Sequence, residues 1–422
     1  MIPFSPSSSE SFHSSSQSGE SLPVSEAFLD SSSRTRDALP EQYRAHFDEL
    51  RNNIFAFCDE FGIPKETLGS KEAFGTELAS KKIPPARMEE AVSLFARLEH
   101  LVTNRELLKE KLPEYLEEVE RLYNLTEQYT FQFNFLKKAG ILDERDTLLG
   151  IDGNDYPIPT LEQITQRLYE RREELSTKRD QGFIKLLLVP FGMSLDALRD
   201  ILRQFLLTYR ESHPTDFYLD TIDSLFISGD YIEADISDDK NIVYYPKSFD
   251  RDHRGQTKLE ILEEQENTPG STPGWTIHLL QASQDGTPGF RVIPRQGKGK
   301  TQGKEIPRPE LEAKKTAAEY LSILQQAQDD PTSPYFQESG MTPEDWILAF
   351  MIHLEVAKKP LDDYVSGESI SYLVGAFFPA LSSQDYDNVP DAFWSNTGQV
   401  YLGRDETDKS NETIGIRTSV VV

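Results

Sequence analysis

Hydrophobic residues recur with helical spacing through the first half of the chain, from residue 38 to about residue 215. The clearest stretch runs from 194 to 213, and its apolar residues fall on one face of a helix. These residues are Leu195, Leu198, Ile201, Leu202, Phe205, Leu206 and Tyr209. Ser194 stands in the N-cap position, and Pro214 follows the last turn. The pattern predicts a helical domain over 38–215, as an N-terminal bundle.

Short runs of β-branched and aromatic residues replace this pattern from about residue 216. Examples are "DYIEADI", "NIVYYP" and "PGWTIHLLQA". Two helical stretches interrupt these runs. In the second, "MTPEDWILAFMIHLEVAKKP", Thr342 is the predicted N-cap and Pro343 the first helical residue. Few strands, two helices and long loops predict a mixed α+β domain over 216–422.

The first 37 residues differ from both halves, because they are rich in serine and lack periodic apolar positions. We expect the segment 1–37 to be disordered, since such a composition cannot bury a core. The segment also lacks the basic and apolar regions of a signal peptide. Apolar runs elsewhere in the chain are too short to cross a bilayer. These features predict a cytoplasmic protein that does not insert into membranes.

The balance of charges narrows the range of partners. The chain has 422 residues, with 44 Lys and Arg against 71 Asp and Glu, so its formal net charge is −27. Such a surface repels nucleic-acid backbones and acidic lipid headgroups. We therefore expect the protein to bind no nucleic acid.

Motifs for catalysis, cofactors or metals are weak in this sequence. The stretch "GKGKTQGK" resembles a phosphate-binding loop, but Pro294 stands where that motif needs a glycine. His253 lies among acids in "DRDHRGQ", without the second helical histidine of a metal site. Cys58 is the single cysteine, and its apolar neighbours predict a buried structural thiol. The sequence thus predicts no cofactor, no metal and no catalytic residue.

The closing segment, 387–418, combines an apolar frame with many small polar side chains. Trp394, Gly415 and Arg417 are predicted to belong to the frame. Trp394 would be buried, Gly415 would allow a close backbone approach or a bulge, and Arg417 would bind a carboxylate through two nitrogens. The remaining positions carry the side chains that recognition loops favour. The predicted ligand-binding residues are Asp387, Asn388, Asp391, Phe393, Ser395, Asn396, Tyr401, Asp405, Asp408, Ser410, Asn411 and Thr413.

The order "FW", a polar stretch, "QVYLGRD", a second polar stretch and "IGIR" resembles the end of a known fold. It is similar to the formylglycine-generating-enzyme type of C-type lectin fold. The nearest resemblance is to the variable target proteins of diversity-generating retroelements, in which loop positions are diversified on a fixed scaffold to bind varied ligands. The resemblance covers about 342–422. The polar stretch before Ile414 is short for this family, and the region 216–422 contains no cysteine for the copper chemistry of its oxidase branch.

We therefore expect an α+β protein with an N-terminal helical bundle and a C-terminal mixed α+β, C-type-lectin-like domain. Its predicted function is ligand binding through the C-terminal loops, with a protein as ligand, because spread polar and aromatic faces suit proteins. Three alternatives stay open. The tail can be an ordinary polar hairpin whose Asn and Asp side chains serve turns. The chain can be an enzyme of unknown class with a site near residues 230–255, or a structural protein acting through its helical domain.

Overall fold

The computed structural model describes most of the chain from residue 114 onwards and part of the chain before it. The described residues are 36, 39, 41–69, 71–81, 83–84, 87, 94–95, 98, 114–213, 219–220, 224–236, 240–283, 287–380 and 387–422. The segment predicted to be disordered, 1–37, lies outside these residues except for Arg36. The chain divides into two compact units, Met1–Leu112 and Pro113–Val422.

The elements described in the first unit are all helical. They are α1 (Glu41–Phe61), a 3₁₀ helix (Lys65–Gly69) and α2 (Lys71–Ser80). Apolar side chains spaced three and four residues apart on α1 form much of the core of this unit. Cys58 is buried in that core, where burial raises the pKa of its thiol to about 11. This environment suits a structural thiol better than a reactive one.

The described elements of the second unit mix helices and strands. The helices are α3 (Glu114–Tyr123), α4 (Leu125–Lys138), α5 (Leu161–Glu170), α6 (Ser176–Asp180), α7 (Leu195–Ser212), α8 (Lys258–Asn267), α9 (Ala317–Gln328) and α10 (Pro343–Ala357), with a 3₁₀ helix at Gly229–Tyr231. The strands are β1 (Thr147–Leu149), β2 (Asp155–Pro157), β3 (Phe183–Val189), β4 (Leu225–Ile227), β5 (Val243–Tyr244), β6 (Thr276–Gln281), β7 (Thr301–Gln302), β8 (Arg308–Pro309), β9 (Glu338–Gly340), β10 (Ile370–Tyr372), β11 (Ala376–Phe377), β12 (Asn388–Trp394), β13 (Val400–Glu406), β14 (Ile414–Ile416) and β15 (Thr418–Val421). The chain is therefore an α+β protein. Among the helices described, none has the length and apolar character needed for a membrane crossing.

Two larger sheets organise the second unit. One has five strands in the order β14-β10-β12-β13-β4, and the other has four in the order β3-β6-β15-β9. Strands β12 and β13 form an antiparallel hairpin, whereas β4 runs parallel to β13 at the sheet edge. Strand β15 is an interior strand, paired antiparallel with both β6 and β9. Because only Arg417 separates β14 from β15, the end of the chain joins the two sheets.

One apolar core extends through the second unit from α3 to β15. It contains Val119, Leu187, Leu202, Trp346 and Val420, all of them fully buried. Strand β3 belongs to this core and pairs with β6, on the other side of the predicted boundary near residue 215. That boundary therefore does not separate two cores, and the helical domain predicted over 38–215 is corrected to a division after residue 112. The local hydrophobic pattern does not predict this division, because it carries no information about which distant segments pair in a sheet.

The predicted helix ends agree with the structure where capping residues mark them. The Oγ atom of Ser194 accepts a hydrogen bond from the backbone N–H of Ala197 at the start of α7. Thr342 caps α10, and Pro343 occupies its first turn. These side chains accept hydrogen bonds from N–H groups that have no partner within the helix. The start of a helix therefore depends on a few adjacent residues and can be predicted from the sequence.

Three stretches differ from their predicted conformations. The pattern over 111–140 indicates one helix, but Asn124, with a φ of 50°, separates α3 from α4. The run "DYIEADI" begins in a 3₁₀ turn and forms no strand. Strand β3 lies in the region predicted to be wholly helical. Its sequence "FIKLLLV" is a short apolar run, and periodicity does not distinguish a buried strand from a helix in such a run.

We expect a fragment of residues 113–213 to lack a cooperative unfolding transition, because it removes β6 from the side of β3 and opens the shared core. A fragment of residues 113–422 keeps that core and should unfold in one transition. Thermal melts followed by circular dichroism measure both. A cooperative melt of the 113–213 fragment would restore the boundary predicted near residue 215.

Candidate functional site

The hairpin of β12 and β13 has one side packed on the core and one side that opens outward. Successive side chains alternate between the two sides, so Trp394 pairs with Val400 on one and Phe393 with Tyr401 on the other. Trp394 is 3% exposed, and its ring stacks on Phe350 of α10 with centroids 6.1 Å apart. We call the opposite side the outer face. The outer face of the hairpin consists of Val389, Asp391, Phe393, Tyr401, Gly403 and Asp405.

Helix α9 covers the outer face at one end of the five-stranded sheet. Tyr320 and Leu324 of this helix cluster with Tyr372 of β10 and with Ile414 and Ile416 of β14. Towards β13 and β4 the side chains on this face are partly or largely exposed. The sheet is thus supported at one end and open at the other.

Four aromatic rings run in contact along the open part of the outer face. Phe226 of β4 stacks on Tyr401 with centroids 4.4 Å apart and planes at 10°. Tyr401 contacts Phe393 at 4.8 Å, and Phe393 meets Tyr364 edge-on at 6.1 Å. Phe226 is 41% exposed and Tyr364 39%. We name these four residues the aromatic stripe. Contiguous exposed apolar surface of this kind marks interaction sites.

The loop after α10 brings Tyr364 to the end of the aromatic stripe. Asp362 in this loop accepts hydrogen bonds from Nε1 of Trp346 at 2.8 Å and from Nη2 of Arg417 at 2.5 Å. The backbone N–H of Trp394 donates a hydrogen bond to the carbonyl of Asp362 at 3.1 Å. The N–H of Tyr364 donates in turn to the carbonyl of Trp394, also at 3.1 Å. Arg417 is therefore a scaffold residue that holds a carboxylate through one nitrogen, where two were predicted.

Gly415 supports the same region by close packing. A Cβ atom at this position would lie 2.6 Å from Cγ2 of Ile293 and 3.3 Å from Cα of Ala313. Of the two roles predicted for Gly415, the structure shows the close approach. Any larger side chain would displace the segment that packs on β14.

Asp391 lies beside the aromatic stripe with its carboxylate largely buried. The residue is 7% exposed, and among the described residues no donor completes a hydrogen bond to its Oδ1. Gly403 faces Asp391 across the hairpin. A Cβ atom at Gly403 would lie 2.5 Å from Oδ1 of Asp391 and 2.3 Å from Cε1 of Tyr401. The glycine therefore leaves a notch that the carboxylate and the tyrosine ring share.

The environment of Asp391 disfavours its charged form. Burial first, and the charge of Asp405 second, raise the pKa of Asp391 to about 7, and the backbone of Gly403 offsets part of this rise. Asp405 accepts a hydrogen bond from the hydroxyl of Tyr372 at 3.1 Å. The neighbouring charge that acts on Asp391 is thus another carboxylate. The notch is electronegative whenever Asp391 is ionised.

The residues predicted to bind ligand fall into three groups. Asp391, Phe393, Tyr401 and Asp405 share the outer face of the hairpin. The turn between the strands holds Ser395 and Asn396; the opposite end of the hairpin holds Asp387, Asn388, Asp408, Ser410, Asn411 and Thr413. Because a strand rises about 3.3 Å per residue, the two ends of β12 lie roughly 20 Å apart. The loops alone therefore do not form one surface, and the outer face connects them.

Several residues at the ends of the hairpin hold turns together. Ser395 is buried, and its Oγ accepts a hydrogen bond from the N–H of Gln399 at 3.2 Å. Oδ1 of Asn411 accepts from both the N–H and the hydroxyl of Thr413 at 2.9 Å. Asp387 accepts from a backbone N–H at 2.9 Å. These are the roles that the ordinary-hairpin alternative assigned to them. The exposed members of the predicted set are Asn396, Asp408, Ser410 and Asn411.

Phe226 and Tyr364 are not among the site residues that the sequence predicts. Phe226 lies in the short apolar run "SLFIS", which is compatible with a strand. That run does not indicate that β4 pairs in parallel with β13 and so places Phe226 beside Tyr401. Tyr364 lies in a loop, and only the hydrogen bonds around Asp362 bring it to the stripe.

The region near residues 230–255, considered above as an enzyme site, adjoins a buried charge cluster. The Nζ atom of Lys258 contacts Asp235 and lies 2.8 Å from Oε1 of Glu344, and all three side chains are at most 1% exposed. Tyr244 donates a hydrogen bond to the same Glu344 oxygen at 2.6 Å. A substrate reaches none of these groups without movement of the surrounding core.

The glycine-rich segment 297–304 binds two carboxylates of its own chain. The N–H groups of Gly297 and Gly299 donate to Glu312 at 2.8 and 2.7 Å, and the N–H of Lys300 donates to Glu310 at 2.6 Å. The amides that a phosphate-binding loop would offer to a nucleotide are therefore engaged. In the parts of the chain that the structure describes, no group of three or more His, Cys, Asp or Glu side chains is arranged to hold a metal ion.

We expect Trp394→Ala to lower the free energy of unfolding by about 3–5 kcal/mol, the usual range for a large buried aromatic side chain. Tyr401→Ala should cost clearly less, because Tyr401 lies on the outer face and is only half-buried. Urea denaturation of both variants measures the difference. Equal losses would contradict the division of the hairpin into a packed side and an open side.

The stability of the Asp391→Asn variant should rise relative to the native chain as the pH increases. Because the folded state raises the pKa of Asp391 to about 7, the native chain loses stability between pH 4 and pH 7, and the variant avoids this loss. The free energy of unfolding of the variant, relative to that of the native chain, should increase by about 3 kcal/mol between pH 5 and pH 9. Denaturation at both pH values measures it. Asp408→Asn, which changes an exposed carboxylate on the same hairpin, is the control, and an equal response of both variants would refute the buried acid.

No protein-family model, curated protein sequence or solved structure matches the chain. What the outer face binds must therefore be inferred from its own side chains.

Proposed function

We propose that the protein binds a protein ligand on the outer face of the β12–β13 hairpin, with the aromatic stripe as its main contact. The proposal rests on one observation. The rings of Phe226, Tyr401, Phe393 and Tyr364 form a row of successive contacts on an exposed sheet surface. Aromatic side chains are enriched among the residues that dominate binding energy. They provide a large contact area and lose little conformational entropy.

The contacts that hold the aromatic stripe in place favour a role in binding. Trp394 anchors the hairpin to the core, and Asp362 fixes the neighbouring loop through Trp346 and Arg417. A surface held in this way is already ordered before the ligand arrives. Its entropic cost on association is correspondingly small.

The resemblance to variable target proteins supports the proposal independently of the stripe. We propose that the α+β region over 216–422 has a C-type-lectin-like fold, as the polar hairpin and the closing "IGIR" strand within 342–422 suggest. In such a domain Asn396, Asp408 and Ser410 suit diversified positions, because they are exposed. We further propose a cytoplasmic location and no nucleic-acid partner, in line with the net charge of −27.

Selection of a random-peptide library on the immobilised full chain tests the binding face. We expect the selected peptides to lose about tenfold or more of their affinity for Phe393→Ala and for Tyr401→Ala, as interface aromatic residues do. Val421→Ala is the control, because Val421 is 40% exposed but belongs to the other sheet. Peptides that bind all three variants as tightly as the native chain would refute the outer face as the binding surface.

A further inference from the structure

The notch at Asp391 combines two features that ordinary sheet surfaces lack. Its carboxylate is 7% exposed and has an oxygen without a complete hydrogen bond in the described part of the chain. Its rim is the ring of Tyr401, which stacks between Phe226 and Phe393. A buried carboxylate oxygen without a complete hydrogen bond is unfavourable, and a hydrogen-bonding cation relieves that cost.

Entry of such a group into the notch requires the Tyr401 ring to move. Contacts with Phe226 and Phe393 hold the Tyr401 ring in place, and its hydroxyl makes no hydrogen bond to the described chain. Rotation of the Tyr401 side chain uncovers the space above Gly403, where the carboxylate of Asp391 lies. The ring then remains beside whatever enters the notch.

We infer that the notch binds a cationic side chain of the protein partner, an arginine guanidinium in particular. The inference rests on the proposed function and names the chemistry that the outer face recognises. A guanidinium offers a planar set of donors to a carboxylate and stacks on aromatic faces, which a compact ammonium does less well. The neighbouring Asp405 and the net charge of −27 complement a basic partner.

Binding of the cation should strengthen as the pH rises through 7. The titratable groups that face Asp391 are Asp405 and Tyr401 of β13, Tyr372 of β10, and Tyr231, which donates to the carbonyl of Gly403. Burial raises the pKa values of all three tyrosines, so they stay neutral over this range. Ionisation of Asp391, with a pKa of about 7, then controls the affinity.

A titration with N-acetylarginine amide tests the inference, with the neutral isostere N-acetylcitrulline amide as the matched probe. Nuclear magnetic resonance of the full chain, labelled with ¹⁵N-glycine, follows the Gly403 amide. We expect a saturable shift of this resonance with the arginine probe and none with the citrulline probe. The affinity should be about tenfold weaker at pH 6 than at pH 8, because only the ionised fraction binds.

Two variants decide the origin of the shift. Asp391→Asn should abolish it, while Glu263→Gln, which neutralises an exposed carboxylate on α8 away from the outer face, should keep it. Thermal melts confirm that both variants are folded. Absence of the shift in the native chain, or its persistence in Asp391→Asn, would overturn the cation site. If that happens while the selected peptides still require Phe393 and Tyr401, the outer face stands and only its ligand chemistry is wrong. If the peptides ignore Phe393 and Tyr401, the proposed function itself fails.

Discussion

The contact between Arg417 and Asp362 is the interaction on which the arrangement of the second unit depends. Arg417 lies between the last two strands, one in each large sheet, and Asp362 also binds Trp346 of α10 and Trp394 of β12. Loss of either charged partner leaves the other buried without its counter-charge, which typically costs about 3–5 kcal/mol. One pair therefore fixes a helix, a hairpin and the chain end together, and places Tyr364 at the end of the aromatic stripe.

A second buried cluster holds the last strand inside its sheet. Glu338 accepts from Lys178 at 2.8 Å and from Nε of Arg308 at 2.7 Å, while the hydroxyl of Thr418 donates to its other oxygen at 2.7 Å. Strand β15 thus has partners on both sides and a charged anchor at its first residue. The polar residues of the tail can then serve turns and recognition, because the folding energy comes from the packed side and from these anchors.

The features of this structure that can be predicted from the sequence are those determined by residues close together in the chain. The caps at Ser194 and Thr342 and the burial of Trp394 depend on a few adjacent positions, and they were predicted. The pairing of β3 with β6 and of β4 with β13 joins segments that are distant in the sequence. Neighbouring residues therefore do not predict the division after residue 112 or the role of Phe226. Asp391 was predicted as a surface contact, but its place opposite Gly403 makes it a largely buried acid.

The proposal at the centre of this account is that the outer face of the hairpin is the main contact surface for the ligand. A photo-crosslinking residue introduced at position 226, and in a separate protein at position 421, measures this directly with a peptide selected on the native chain. Both positions are exposed, and they belong to different sheets. We expect covalent capture of the peptide from position 226 only. Capture from position 421 with none from position 226 would contradict the account.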